Sequence, residues 1–123
     1  MNAPFVPVIA QVRLADPREP GLAAFLADHP QATPFHAPEW LEAVAAGTGN
    51  RALALVAEAR GQVVGYLPLH EVHSPVFGRL LASSGFAVGG GLLLAEGADP
   101  APLFAAATEF ATRRSCPAIE LRG

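Results

Sequence analysis

The spacing of hydrophobic residues changes several times along the chain and predicts a succession of strands and helices. Val8 to Leu14 alternates with a period of two, which predicts a first strand. The apolar runs Ala52 to Ala59 and Gln62 to Val72 are separated only by Arg60-Gly61, which predicts a β-hairpin. The remaining predicted strands are one or two within Arg79 to Ser84 and Phe86 to Leu94, and a last short one at Ala118 to Arg122.

Three segments have helical spacing, and proline residues lie at their starts. Pro20 occupies the first turn of a helix that His29-Pro30 ends, and Pro38 begins a second helix that continues to Ala46. Asp99-Pro100 caps a third helix, which Cys116-Pro117 ends. The predicted buried positions are Leu22, Phe25 and Leu26 in the first helix, Trp40, Leu41, Val44 and Ala45 in the second, and Leu103, Phe104, Ala107, Phe110 and Ala111 in the third.

This order of elements predicts an α+β domain with α/β-like layers, in which helices flank a mixed sheet. We expect residues 1–123 to form a single domain or a half-domain. Pro68 lies inside a predicted strand, where its missing N–H breaks a ladder bond, so that strand is expected to be bulged or an edge at this point. The last strand needs a neighbour or a cover, which favours a missing continuation or a partner chain.

Composition and charge narrow the possible functions. Hydrophobic residues make up 51% of the chain and charged residues 15%, which is enough apolar material for a packed core. The net charge is −3, and all eight basic residues are scattered arginines, so DNA binding through a basic surface is disfavoured. The N-terminus lacks the basic start of a secretory signal, and no apolar run is long enough to span a membrane. These observations predict a cytoplasmic protein.

The segment His70-Glu71-Val72-His73 contains residue types that bind metals. Positions three apart on a strand point to opposite faces, so both histidines can share one ion only if the strand ends between them. We therefore predict no metal site, and interpret the pair as two partly exposed histidines at a strand end. The single cysteine, Cys116, forms no internal disulfide and is interpreted as a small buried hydrophobe.

Two residues near the start of the second helix are candidates for a substrate site. His36 and Glu39 lie close in sequence and could form a base with an orienting carboxylate. In the alternative interpretation, which we favour, His36 caps the helix and Glu39 interacts with the helix dipole. Trp40 either belongs to the core or forms the wall of a pocket.

The run Gly89-Gly90-Gly91 could let backbone N–H groups approach a phosphate or an acyl carbonyl. It matches neither a Walker loop nor a dinucleotide fingerprint, so a bulged or bent strand is the alternative. Ser83-Ser84-Gly85 lacks the nucleophile motif of hydrolases.

Several short motifs, taken in order, resemble the N-terminal half of FemAB-like transferases, which belong to the GNAT-type acyltransferase superfamily. The likeness extends over about residues 33 to 122 and is strongest to the subgroup that accompanies bacterial exosortase and exopolysaccharide systems. The motifs are Thr33-Pro34-Phe35-His36, Pro38-Glu39-Trp40-Leu41, Ala52 to Glu58, Val64-Gly65-Tyr66-Leu67-Pro68-Leu69, Phe86-Ala87-Val88-Gly89-Gly90-Gly91 and Ile119-Glu120-Leu121-Arg122.

The resemblance implies a GNAT-like, mostly antiparallel sheet that is incomplete in this chain, and transfer of an acyl or aminoacyl group to an amine. Acyl-CoA or aminoacyl-tRNA would be the donor, and a second, C-terminal GNAT-like unit would supply the remaining catalytic residues. A splayed strand would present an N–H to the donor carbonyl, and a loop before a helix would hold its phosphates. The segment Leu92 to Asp99 separates the glycines from the helix and contains no arginine, which departs from that pattern.

Two hypotheses about function follow from these observations. In the first, the chain is the N-terminal segment of a FemAB-like transferase of cell-envelope or exopolysaccharide biosynthesis and is inactive alone. In the second, it is a non-catalytic module that binds an acceptor or forms a homodimer. A fold remnant without a ligand is a third possibility. The substrate-binding residues expected under the first hypothesis are His36, Trp40, Phe86, Gly89, Gly90 and Gly91.

Overall fold

The computed structural model describes residues 11–49, 51–74, 78–83, 92–114, 116 and 118–120. The helices in these ranges are α1 (Pro20–Asp28), α2 (Pro38–Thr48) and α3 (Ala101–Arg113), and a 3₁₀ turn spans Pro34–His36. The strands are β1 (Gln11–Ala15), β2 (Arg51–Ala59), β3 (Gln62–Ser74), β4 (Gly78–Ser83), β5 (Leu93–Leu94) and β6 (Ala118–Glu120).

The sheet has the strand order β1-β2-β3-β4-β6, and β5 pairs separately with β3. Strands β1 to β4 are antiparallel to their neighbours, whereas β6 runs parallel to β4 after the crossover through α3. The sheet is therefore mixed and mostly antiparallel, as predicted. The helices form the two outer layers of an α+β fold.

Each face of the sheet has its own core. Under α3, the buried side chains include Leu55, Leu67 and Leu103. Under α1 and α2, they include Leu22, Leu41 and Tyr66. Because side chains alternate along a strand, successive residues of β2 and β3 contribute to opposite cores, which explains why the central stretches 53–57 and 65–71 are buried without interruption.

The predicted hairpin is confirmed. Arg60 and Gly61 have φ values of 54° and 76°, as a two-residue turn of type I′ requires. Near this turn β3 contains one more residue than β2. The extra residue is Val64, because Ala57 pairs with Gly65 while Glu58 pairs with Val63. The bulge therefore lies at Val64 and not at Pro68.

Helix α1 begins at Pro20 and ends before His29, as predicted. The prediction for α2 placed its end two residues too early: the helix continues through Gly47, and Gly49 provides the left-handed position, with φ 73°. In α3, four of the five predicted positions are buried, but Phe104 is 39% exposed. It lies on the outer edge of the stripe formed by positions 103, 107, 110 and 111, so the prediction of a buried Phe104 is wrong.

The first and last predicted strands are only partly covered by the described residues. Strand β1 begins at Gln11, and positions 8–10 lie outside the description. Strand β6 is described over Ala118–Glu120, and positions 121 and 122 lie outside it. Within the described ranges, no helix has the length and apolar content needed to cross a bilayer.

Candidate functional site

Two separate strands pair with the same side of β3. β4 pairs with the segment from Leu69 to Ser74, and β5 pairs with Gly65 and Tyr66. In the described part of the chain, no strand pairs with Leu67 and Pro68 on this side. We call this interruption the β4/β5 break. Both β4 and β5 run antiparallel to β3.

Pro68 lies at the β4/β5 break, where it could not donate a backbone hydrogen bond to a neighbouring strand. The carbonyl of Val64 accepts the N–H of Ala95, 2.8 Å away, on the β5 side of β3. Backbone polar groups of alternate residues point to the same side of a strand, so position 68 faces the break as well. Proline has no N–H to donate. Pro68 is fully buried and pairs with Ala54 on β2, so it is not at an edge on that side. On the β4/β5 side, the local edge stays a prediction.

The N-terminus of α3 is occupied by a carboxylate. Pro100 is the N-cap residue, and Asp99 Oδ1 accepts the backbone N–H of Ala101 at 3.0 Å. The carboxylate satisfies one of the free amides of the first turn and places a negative charge at the positive end of the helix dipole. This arrangement stabilises the helix and opposes a phosphate at the same position.

Removal of this cap is expected to destabilise the chain. Asp99→Ala should lower the free energy of unfolding by about 1 kcal/mol, the usual cost of losing a capping side chain. The measurement is denaturant unfolding followed by circular dichroism. Glu109→Ala, on the exposed part of the same helix, is the matched control and should change the stability by less than about 0.5 kcal/mol. Equal effects of the two substitutions would contradict the capping role.

An open groove of about 940 Å³ lies between α1 and the hairpin end of β2 and β3, next to the turn that follows β5. We call it the hairpin groove. Its lining includes the carboxylates of Glu19, Asp28, Glu58 and Glu96 and the guanidinium of Arg13. The charge of the lining is therefore predominantly negative, which favours a cationic ligand over an anionic one.

Arg13 connects two of these carboxylates across the rim of the hairpin groove. Its guanidinium forms a two-point contact with Glu19, at 2.7 and 2.9 Å, and a second contact with Glu58. The hydrogen bond from Arg13 lowers the pKa of Glu19, so that carboxylate stays ionised. All three side chains are partly exposed, so these ion pairs position the charges more than they stabilise the fold.

His29 connects the groove to β5. Its Nε2–H donates to the carbonyl of Leu94 at 2.7 Å, and its Nδ1 accepts the N–H of Gln31 at 3.1 Å. The ring also packs against Phe25, with 5.3 Å between ring centroids. The end of α1 is thereby fixed to the strand that follows the β4/β5 break.

Of the predicted substrate-binding residues, the structure describes His36 and Trp40. His36 is 2% exposed, and its Nδ1 accepts the backbone N–H of Thr33 at 2.9 Å in a capping box. His36 therefore belongs to the cap of the 3₁₀ turn. The prediction that it caps α2 is wrong, because the N-cap of α2 is Ala37, which makes no side-chain cap. Glu39 does lie in the first turn of α2.

Trp40 is partly buried and makes an edge contact with Phe35, with 4.9 Å between ring centroids. It packs against the core under α1 and α2. His36 lines a second, smaller groove of about 530 Å³ between α1 and α2, together with Arg18 and Thr33. The two predicted residues are thus close in the chain, and His36 contributes to the lining of this second groove. Their role in substrate binding stays a prediction.

The other four predicted residues, Phe86, Gly89, Gly90 and Gly91, lie outside the described residues. They belong to the segment of sequence between β4 and β5. In the sequence, therefore, the glycines fall between the two strands that border the β4/β5 break.

The interpretation of His70 as partly exposed is wrong. β3 continues to Ser74, so His70 lies inside the strand, and it and Glu71 are both fully buried. They point to opposite faces, His70 towards α2 and Glu71 towards Arg114 at the end of α3, where the shortest contact is 3.1 Å. Across the described ranges, no group of three or more His, Cys, Asp or Glu side chains could hold a metal ion. Cys116 is buried, as predicted.

The hairpin groove is not predicted by the sequence. Arg13 and Glu58 are 45 positions apart, and their proximity depends on the pairing of Gln11 with Glu58 across β1 and β2. The available signal was a charged residue on the outward face of each strand. The register that joins them could not be deduced from either strand alone.

Comparisons with known proteins support the fold. No protein-family model and no curated protein matches the chain. Its structure is similar to the crystal structure of ribosomal-protein-alanine N-acetyltransferase from Brucella melitensis biovar Abortus 2308, with a TM-score of 0.62 and 21% sequence identity. The match covers 93% of this chain and 80% of that one. The predicted α+β, GNAT-like architecture is therefore confirmed, whereas the likeness to FemAB-like transferases stays a prediction.

Proposed function

We propose that this chain is the N-terminal GNAT-like segment of a FemAB-like N-acyl or aminoacyl transferase that acts on an amine in cell-envelope or exopolysaccharide biosynthesis. The observation that carries the proposal is the arrangement of β4, α3 and β6. An antiparallel sheet continues through a helical crossover into a parallel strand, and among the described residues no strand pairs with Leu67 and Pro68 between β4 and β5. In GNAT chemistry such an opening admits the donor carbonyl to a backbone N–H.

The hairpin groove supports the acceptor half of the proposal. An amine acceptor carries an ammonium group before it loses its proton, and four carboxylates line the groove. Under this proposal the acceptor approaches along the α1 side. Gly89, Gly90 and Gly91 would bring backbone groups near the donor, and His36, Trp40 and Phe86 would border the substrate.

The acceptor role predicts a kinetic effect of Glu58. Glu58→Gln removes one negative charge from the groove and weakens its contact with Arg13, so the KM for a cationic amine should rise about threefold to tenfold, while kcat changes less. The assay uses the gene product that contains this chain. Glu109→Gln, outside the groove on α3, should leave both constants unchanged. Equal KM values for the Glu58 variant and the wild type would contradict the acceptor groove.

The second candidate function is a non-catalytic module that binds an acceptor or forms a homodimer. The carboxylate of Asp99 at the start of α3 favours this candidate, because it opposes a donor phosphate at the usual helix end. Under this hypothesis the chain is a stable dimer by light scattering. Its melting temperature does not change with acyl-CoA or aminoacyl-tRNA.

A binding experiment distinguishes the two candidates. The coding sequence downstream of codon 123 is determined, and the resulting product is heated with and without acetyl-CoA or aminoacyl-tRNA. The transferase proposal predicts a donor-dependent increase in melting temperature. Gly90→Val should abolish this increase, whereas Gly47→Val, on α2, should retain it. A product that shows no increase with either donor would contradict the transferase proposal.

A further inference from the structure

His70 lies between α2 and the sheet and is completely buried. Its Nε2–H donates to the backbone carbonyl of Leu41, 3.3 Å away in α2. A carbonyl oxygen only accepts, so the hydrogen of the neutral ring is on Nε2. The other ring nitrogen, Nδ1, is buried and has no hydrogen-bond partner among the described residues. The site therefore fits the neutral imidazole and provides nothing that would hold a second ring proton.

Among the described side chains, the strands beside His70 present no charge to it. Its neighbours across the sheet are Ala52 on β2 and Ala82 on β4. Tyr66 lies four residues before His70 in β3, on the same face of the sheet, and its hydroxyl donates to the backbone carbonyl of His36. Burial raises the pKa of Tyr66, so the hydroxyl stays neutral. Glu71 follows His70 in the chain but points to the opposite face of the sheet.

The carboxylates of α2 are also directed elsewhere. Glu42 pairs with Arg18 at 2.6 Å, and Glu39 lies 3.6 Å from the same guanidinium. Both carboxylate side chains are more than half exposed, at the surface of the helix. No acidic group of α2 is therefore placed to compensate an imidazolium at His70, and burial lowers the pKa of His70.

We propose that His70 is a proton-operated latch for α2, in which the neutral imidazole holds the helix on the sheet and protonation releases it. A proton on Nδ1 would add a charge and an unsatisfied donor inside the apolar interface. Because the cost arises only while α2 covers the ring, protonation favours the conformation in which α2 has separated from β3 and the imidazolium is hydrated.

The sign of the pH effect follows from the lowered pKa. The folded state binds the proton less tightly than the open state, so docking is fully stable above the ordinary histidine pKa of about 6.5 and weakens as the pH falls below it. With one proton involved, the equilibrium constant for opening rises by up to about tenfold per pH unit. The effect continues until the folded state itself becomes protonated.

Trp40, the only tryptophan of the chain, reports directly on α2. Its fluorescence and the hydrogen exchange of the α2 amides, corrected for intrinsic rates, are measured from pH 7.5 to 5.0 in the wild type, His70→Gln and His70→Leu. His29→Gln is the matched control, because His29 binds β5 and not α2. The wild type and the control should open increasingly below about pH 6.5, and the two His70 variants should lose most of this dependence.

An unchanged pH dependence in the His70 variants would overturn the latch. If neither variant folds, the wild type decides the question through the ¹³C resonances of its four histidine rings. A His70 ring that stays neutral until the α2 amides begin to exchange supports the proposal. A ring that titrates near pH 6.5 while α2 stays protected would overturn it.

Discussion

Replacement of Arg114 by methionine is expected to lower the free energy of unfolding by about 3 kcal/mol. The reason is an asymmetry of burial in its ion pair: the side chain of Glu71 is 1% exposed, whereas that of Arg114 is 41% exposed. Methionine retains much of the apolar contact of the arginine chain but removes the cation. The carboxylate of Glu71 then loses this cation while it remains in the core, which costs several times more than the loss of a surface pair.

The matched control is Glu71→Gln, which removes the buried charge and keeps the shape. Arg114 can return its guanidinium to water because it lies after the end of α3, so this substitution should cost about 1 kcal/mol or less. Denaturant unfolding of both variants gives the comparison. A larger loss of stability for Glu71→Gln than for Arg114→Met would show that the buried charge of Glu71 is not the cause of the destabilisation.

The second large effect concerns the close packing of α3 against the sheet at Gly65. A Cβ added to Gly65 would lie 2.8 Å from Leu103 Cδ1 and 3.2 Å from Leu94 Cδ2. Leu103 is completely buried, so its side chain has little room to move. Gly65→Ala should therefore cost about 2 kcal/mol through overpacking, and Leu103→Ala should cost about 3 kcal/mol through the cavity that it leaves.

The double variant tests the contact itself. If the alanine at position 65 occupies space vacated by Leu103, the combined loss should be smaller than the sum of the single losses by about 1 kcal/mol or more. Thermal unfolding followed by circular dichroism gives the four stabilities of the cycle. Strict additivity would mean that the two positions do not compete for the same space. It would contradict the close contact between Leu103 of α3 and position 65 of β3.

Local patterns were sufficient to predict most of the elements. The turn at Arg60-Gly61 and the prolines at positions 20 and 38 depend on nearest-neighbour chemistry, which the sequence contains in full. Phe104 shows the limit of this approach. An apolar residue beside a helical stripe is assigned to the core by its spacing, but the width of the surface that α3 covers depends on the partner elements.

The buried polar groups could not be predicted because their partners are distant in sequence. His70 and Glu71 looked like the polar end of a strand, but Leu41 is 29 positions before His70 and Arg114 is 43 positions after Glu71. Only the packing of α2 and α3 on opposite faces of the sheet brings these groups together. His36 has the same limitation: it is predicted to cap α2, but it belongs to the capping box of the preceding 3₁₀ turn, whose N-cap is Thr33.

We propose that this GNAT-like fold belongs to a transferase that moves an acyl group to an amine. The most direct measurement is mass spectrometry of amine acceptors after incubation with labelled acetyl-CoA or aminoacyl-tRNA, using the 123-residue chain and the full gene product in parallel. We expect the full product to yield a labelled amide and the 123-residue chain alone to yield none. A full product that yields no amide from either donor, and exists as a stable dimer, would contradict it.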